Sequence, residues 1–259
     1  MKKCLFKKLF QITKMRILKS YLSVNYTPKR FEIPENAKCL CLAPHQDDET
    51  IGMGGTLARY NKSFKVLCLT NGAKGIKTVS HDEAVEIRKN EFSAAMNKAG
   101  INDFEILDIE DRALIDGYEK FKNTDIKGYD YIFLPNFIDQ HKDHKAATIL
   151  LYRLLTEIKN YNKDLKIGLY EVWSPLTFST SVISIKDFID VKRDMLKEYK
   201  SQCEQRFYFE ASLGLSTYRG LAKQQTYAEA FWIMPVKEFL DTISELYPLL
   251  EKESCEEEE

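Results

Sequence analysis

Residues 45–49 set His45, Gln46, Asp47, Asp48 and Glu49 in unbroken succession, directly after the apolar run Cys39–Ala43. About a hundred residues later, His141-Lys142-Asp143-His144 follows another apolar run, Tyr131–Leu134. The chain has four histidines, and three of them fall in these two clusters. Imidazole and carboxylate together suit a hydrolytic metal centre, which needs about three protein ligands and one open position. Side chains three apart across a strand-to-loop turn can converge on one ion, as His45 and Asp48 would, and a distant His144 would close the triangle. Asp47 lies between these ligands in sequence, where its carboxylate could take a proton from water as general base. His141 would then face the reacting carbon from the opposite side and donate a hydrogen bond or proton as charge builds on oxygen. Asp143 is placed to orient one of the histidines through its second ring nitrogen.

The elements that must carry these groups read as an α/β alternation. Strands are expected at Cys39–Ala43, Phe64–Thr70, Phe104–Ile109, Tyr131–Leu134 and Lys166–Trp173. Helices are expected at Gly54–Asn61, His81–Ala99 and Lys145–Lys159, with Gly100 a stop for the second. Strands alternating with helices of this length indicate a mainly parallel sheet with helices on both faces, in one domain. Open sheets of this kind place their sites beyond the carboxyl ends of the strands, which is where both clusters fall. From Val182 onward the chain reads as more helical, notably over Val191–Phe207 and Val236–Leu246. The expected organisation is an appendage over 1–34, a catalytic domain over 35–250 and an acidic tail over 251–259.

With both clusters in view, Pro44-His45-Gln46-Asp47-Asp48-Glu49 and His141-Lys142-Asp143-His144 resemble the PIG-L/LmbE-like family of metal-dependent N-acetylglucosaminyl de-N-acetylases. Further segments are similar in order: Leu69-Thr70-Asn71-Gly72 with Gly75; Arg88-Lys89-Asn90-Glu91 with Ala94, Ala95 and Gly100; Lys192-x-x-Met195-Leu196-x-x-Tyr199-x-Ser201-Gln202; and Tyr227-Ala228-Glu229-Ala230-Phe231. The likeness spans roughly residues 38 to 235. It implies a Rossmann-like fold and hydrolysis of the N-acetyl group of an N-acetylated amino sugar to amine and acetate. By position it implies His45, Asp48 and His144 as metal ligands, Asp47 as base, His141 as acid or oxyanion stabiliser, and Arg88 as a contact to a sugar hydroxyl or phosphate. Gln46 and Lys142 depart from the family pattern without replacing a ligand. Lys142 sets a cation beside the site.

Other readings of the same residues stand beside these. Asp47 or Asp48 could cap the following helix, and Arg88 with Glu91 could form an exposed pair one turn apart. His81 reads as a surface or capping residue. Gly52-x-Gly54-Gly55 is not a dinucleotide fingerprint, and two carboxylates just upstream would repel a pyrophosphate. A non-catalytic sugar- or nucleotide-binding module is the alternative to an enzyme, although a pure binder has no need of the base at Asp47. The ring-bearing residues Trp173, Tyr208, Tyr218, Tyr227, Phe231 and Trp232 are candidates for a substrate rim or for core packing. The expected ion is Zn²⁺, with Fe²⁺ the alternative, since nothing in the sequence separates them.

A formal net charge of −1 over 259 residues argues against a generic polyanion binder, so no nucleic-acid partner is expected. Six cysteines without a CxxC pair suggest a reducing, cytoplasmic compartment, with Cys39, Cys41 and Cys68 as small hydrophobes inside strands. No acidic residue precedes Glu32, whereas Lys2, Lys3, Lys7, Lys8, Lys14, Arg16 and Lys19 are interleaved with apolar residues. This segment, 2–22, is neither a signal peptide nor a membrane span. Two readings remain for it: a basic amphipathic helix lying on an anionic membrane surface, or a helix packed on the domain with its basic face in water.

Overall fold

A computed structural model of the protein describes residues 27–158, 160–203 and 207–255. The expected basic helix over 2–22 and the terminal acids 256–259 lie outside these residues. In chain order the elements are β1 (Lys29–Arg30), β2 (Cys39–Ala43), α1 (Asp48–Arg59), β3 (Phe64–Thr70), α2 (His81–Ala99), β4 (Phe104–Ile109), α3 (Tyr118–Phe121) and β5 (Tyr131–Pro135). They continue as α4 (Lys142–Glu157), β6 (Lys166–Tyr170), β7 (Ser181–Ser184), α5 (Ile189–Glu198), α6 (Lys200–Cys203), α7 (Tyr208–Leu221), β8 (Ala228–Pro235) and α8 (Val236–Cys255).

The strands form one sheet in the order β1-β7-β8-β6-β5-β2-β3-β4. All described pairings are parallel except those of β8, which runs antiparallel to both β6 and β7. The period-2 alternation of strand side chains divides the core between two faces. Leu40 and Leu42 of β2 join Ile132, Leu134, Ile167 and Leu169 against α4 and α8, through residues such as Ile149, Leu150, Phe239 and Ile243. Cys39 and Cys41 face the other way, with Val66, Cys68, Phe133 and Tyr170, against Met53 and Leu57 of α1, Phe92 and Met96 of α2, and Met195 and Leu196 of α5. The three strand cysteines are buried free thiols, as expected of small hydrophobes, and burial raises their pKa values further.

α2 follows the expected bounds because its ends carry the right residues. Ser80 caps the first turn by accepting from the Glu83 N–H at 3.4 Å, and Gly100 closes the last at φ 72°. That left-handed conformation favours glycine. Other expectations are corrected by the structure. α1 starts at Asp48 rather than Gly54, and it contains a break at Met53 (φ −148°, ψ 24°). Its glycines serve close approach: a Cβ on Gly52 would collide with the Tyr170 ring and the Glu171 carbonyl. β6 ends at Tyr170 instead of Trp173, and the helix expected over 191–207 is interrupted at Tyr199. The C-terminal region, expected to be mostly helical, supplies β7 and β8 to the sheet. β1 and buried Ile33 also belong to the sheet and core, upstream of the expected boundary at residue 34, and α8 runs into the expected tail as far as Cys255. Among the described residues no helix is long and apolar enough to cross a membrane.

β2 connects through α1 to β3 on one side, while β5 pairs with β2 on the other. The chain direction across the sheet therefore switches between β2 and β5. The carboxyl ends of these two strands diverge into a crevice at that point, the location where open α/β sheets bind ligands. The two polar clusters of the sequence issue from these two strand ends.

Candidate active site

Asp48 opens α1, and its Oδ2 is the hub of the site. It accepts from the His45 backbone N–H at 2.9 Å, and it lies 3.2 Å from His45 Nδ1 and 3.1 Å from His144 Nε2. Two ligands at ~2.0–2.1 Å from an ion in tetrahedral array stand roughly 3.3 Å apart. These separations therefore resemble the edges of a coordination polyhedron. The donor chemistry fits a divalent ion on a second ground. Both ring nitrogens of fully buried His144 have a carboxylate oxygen within 3.4 Å but no well-formed hydrogen bond to it, an arrangement that an ion between imidazole and carboxylate would complete. The ligand atoms of His45, His141 and His144 also lie within 4.8 Å of one another, as do those of His45, Asp111 and Asp143.

Behind the histidines stand carboxylates. His45 Nε2 lies 3.0 Å from Asp143 Oδ2 and 3.3 Å from Asp111 Oδ1. An acceptor there keeps the proton on Nε2, so that an ion displacing the proton on Nδ1, the atom nearest Asp48, would find its lone pair there. Asp143 is itself fixed by the Arg112 N–H at 2.8 Å and the Leu114 N–H at 3.3 Å. His144 Nδ1 lies 3.4 Å from Asp139 Oδ2, and Asp139 is held by the N–H groups of His141, Trp173 and Ser174. Each buried imidazole thus has its own carboxylate.

Electrostatics follow from this crowding. Burial alone would lower the His45 and His144 pKa values, but the surrounding carboxylates raise both, His45 well above its ordinary value and His144 to about 9. Burial works against ionisation of Asp48, yet His144 and His45 hold its carboxyl well below the usual range. His141 is pushed down to about 3 by burial and by the other two histidines. Its Nδ1 accepts from the Asp143 N–H at 3.2 Å, so the neutral ring carries its proton on Nε2. The three rings cluster, with centroids 4.6 Å apart for His45–His141 and 5.0 Å for His141–His144.

Asp47 sits at φ 127°, a strained left-handed conformation for a residue with a Cβ. Although it occupies the N-cap position of α1, its side chain makes no capping hydrogen bond. The carboxylate is therefore not used as a cap. It lines the cleft, 7% exposed, with Arg88 3.3 Å from its Oδ2. Burial raises the Asp47 pKa to about 7, with Arg88 opposing and Asp48 and Glu49 adding to the rise. A carboxylate titrating near neutrality is matched to general-base work. Glu49 holds the turn from behind: its carboxylate accepts from the Asp47 N–H at 3.2 Å, from Thr50 Oγ1 at 2.6 Å and from Tyr199 Oη at 2.5 Å.

The Arg88–Glu91 pair is buried rather than exposed. The Arg88 side chain is 2% accessible and bonds the Gln46 carbonyl and Glu91 as well as approaching Asp47. Glu91 in turn accepts from the Ser201 N–H at 2.7 Å and its Oγ at 2.8 Å. Arg88 therefore clamps the turn that presents Asp47, while still lining the cleft. The cleft, about 220 Å³, is bordered further by Lys74, Lys77, Asp111, Arg112, Gln202 and the adjacent rings of Trp173 and Tyr208, whose centroids are 4.6 Å apart. Lys142, expected beside the site, is not among the lining residues. His81 is exposed and near Asp82 and Glu110, as a surface residue would be.

Sequence reasoning missed Asp111 and Asp139. Both carried a signal: Asp111 follows the carboxyl end of β4, and Asp139 lies two residues before His141.

Comparison with known proteins places these observations among others of their kind. Residues 40–155 match the family described as PIG-L: GlcNAc-PI de-N-acetylase. Among solved structures, the conserved protein TT1542 of Thermus thermophilus is similar at 26% identity and a TM-score of 0.63, over 75% of this chain and 93% of that one. N,N'-diacetylchitobiose deacetylase of Pyrococcus horikoshii is similar at 22% identity and a TM-score of 0.65, over 79% and 88%. GalB, the 4-carboxy-2-hydroxymuconate hydratase of Pseudomonas putida, shares the fold at 17% identity and a TM-score of 0.62, over 76% and 96%.

Proposed function

We propose that this chain, which carries a PIG-L domain over residues 40–155, hydrolyses the N-acetyl group of an N-acetylated amino sugar to free amine and acetate. The observation that carries the reading is the Asp47–Asp48 doublet. One carboxylate is turned into the cleft with no capping bond, while its neighbour is aimed at His45 and His144. His45, Asp48 and His144 would hold a divalent ion. Such an ion supplies Lewis acidity toward an amide carbonyl and toward water. Zn²⁺ is the proposed occupant, with Fe²⁺ as the comparison.

The protein's own groups divide the proton work. Asp47, titrating near neutrality and steadied by Arg88, takes a proton in its ionised form from the water that adds to the amide carbon. His141, neutral and with its proton on Nε2, donates a hydrogen bond where negative charge develops on the oxygen, and Asp47 passes the proton it took from water to the departing nitrogen. The C–N bond breaks, the nitrogen leaves as the amine, and acetate retains the water's oxygen. Asp143 and Asp139 hold the two imidazoles in the orientation this requires. The Trp173–Tyr208 wall offers ring faces for the apolar side of a sugar.

The experiment is acetate release from a panel of N-acetylhexosamine conjugates, with protein loaded with Zn²⁺ or Fe²⁺. Asp47→Asn, nearly isosteric but unable to take the proton, should keep the ion and lose ~10²–10⁴ in turnover. Wild-type turnover by that variant at matched metal content would remove Asp47 from the mechanism. Absence of acetate from every conjugate would remove the reaction.

A further inference from the structure

The break in α1 at Met53 opens the helix ladder at a defined place, where the Gly55 N–H would meet the Ile51 carbonyl in an unbroken helix. Three side chains occupy that gap. Lys192 Nζ donates to the Ile51 carbonyl at 2.9 Å, and Ser212 Oγ donates to the same oxygen at 3.0 Å. On the far side, Glu229 accepts from the Gly55 N–H at 3.0 Å and the Thr56 N–H at 2.7 Å. Lys192 and Glu229 are joined at 2.7 Å, and Ser216 Oγ completes the ammonium's shell at 3.3 Å. A relay thus spans the break: Ile51 carbonyl, Lys192, Glu229, Gly55 N–H. Lys192 is 1% and Glu229 3% exposed.

Such a buried pair is an expensive way to stabilise a fold, since apolar residues of similar volume often do as well. Its position suggests another use. The half-helix before the break, only a turn and a half long, carries Asp48 at its first residue and follows directly on Asp47. Its direction decides where both carboxylates point. Lys192 comes from α5, Glu229 from β8 and Ser212 and Ser216 from α7, so elements far along the chain converge on this one gap.

We infer that the Lys192–Glu229 pair is a positioning device, spliced into the broken ladder of α1 to hold the half-helix that aims Asp47 and Asp48. The inference rests on the roles given to those two carboxylates above, so its test reads metal affinity as well as turnover.

Glu229→Asp keeps the charge but withdraws the carboxylate by one methylene, and it is the decisive variant. Glu229→Gln and the neutral double variant Lys192→Met/Glu229→Gln accompany it. Phe239→Leu, in the core on the opposite face of the sheet, is the control for lost stability alone. Zn²⁺ affinity is read by competition with a chromophoric chelator, and kcat and KM on whichever conjugate the wild type turns over. Glu229→Asp should weaken Zn²⁺ binding ~10-fold or more and lower kcat ~10²-fold, the scale of a misplacement near 1 Å, with KM within twofold. Phe239→Leu should lower Tm while leaving affinity and kcat unchanged. Affinity and kcat within twofold of wild type in folded Glu229→Asp would overturn the inference. So would losses in Phe239→Leu that match its own at equal Tm. If the wild type turns over no conjugate, the reaction assignment fails, and the Zn²⁺ arm still decides this inference.

Discussion

Replacement of Asp143 by Asn tests the logic of the site most directly, because the structure sets the expected size of the effect. His45 Nε2 has two carboxylate neighbours, Asp143 at 3.0 Å and Asp111 at 3.3 Å. Removing a carboxylate that orients a metal-bound imidazole costs about 10–100-fold in metal affinity. With Asp111 still in reach, Asp143→Asn alone should sit at the lower end, ~10-fold or ~1.4 kcal/mol. Asp111→Asn should cost no more than that. In the double variant the Nε2 proton has no anionic acceptor left, so the loss should exceed the product of the single effects, beyond ~100-fold, as coupled neighbours do. The assay is Zn²⁺ competition against a chromophoric chelator at pH 7, with thermal melts of the metal-free proteins alongside. Melts are needed because Asp143 also holds the Arg112 and Leu114 N–H groups. A folded Asp143→Asn protein that binds Zn²⁺ within twofold of wild type would refute the reasoning. So would a double variant no weaker than Asp143→Asn, because the two carboxylates would then not share one imidazole.

His144→Ala removes one imidazole of the proposed triangle and should abolish binding of one ion per chain. An ion retained at that stoichiometry would mean that His45 and Asp48 are completed by His141. Zn²⁺ binding should release protons, since the ion replaces the proton that His144 keeps up to about pH 9; affinity should climb ~tenfold per pH unit for each proton displaced, and a flat profile between pH 6.5 and 8.5 would contradict this. The same raised pKa stabilises the metal-free protein fully below the ordinary value of 6.5, a contribution lost as pH rises through about 9. Tm of the metal-free protein should therefore fall over that window, more steeply than Tm of His144→Ala. Deleting residues 1–26 should lower Tm without changing sedimentation with anionic vesicles; salt-sensitive vesicle binding lost on truncation would instead favour the membrane reading.

Much of the site was legible because metal chemistry restricts residue type and the fold restricts place. His45, His141 and His144 stand out as three of the chain's four histidines, set with Asp48 at two strand ends, and the structure brings all four together. What the sequence hides is partnership. Nothing local in Arg88-Lys89-Asn90-Glu91 says that the pair is buried, because an exposed pair one turn apart has the same spacing. Its burial depends on the Gln46 carbonyl and Ser201, 42 and 110 residues away from their respective partners. Asp139 and Asp111 escaped for a related reason: a carboxylate behind a histidine is recognised by what it faces, and that is settled only when β5 pairs with β2 and β3 carries β4 into the same sheet.

The expectation of a helical C-terminal region failed where a buried charge interrupts an apolar pattern. Ala228-Glu229-Ala230-Phe231-Trp232-Ile233-Met234 would read plainly as a core strand with an apolar residue at 229. With Glu there, the apolar run begins late and its small residues suit a helix equally well. That residue is also what reaches out of the sheet to the break in α1. Because β8 runs antiparallel between β6 and β7, its residues descend past the sheet in the opposite sense to those of β2, and a side chain near its start meets α1 beyond the carboxyl end of β2. A parallel strand in the same slot would present its early residues at the other end of the sheet, away from the break. The departure from all-parallel pairing and the charge that obscures the strand are therefore parts of one arrangement. The polar residue that spoils local legibility is the one through which the late strand reaches the helix carrying Asp48.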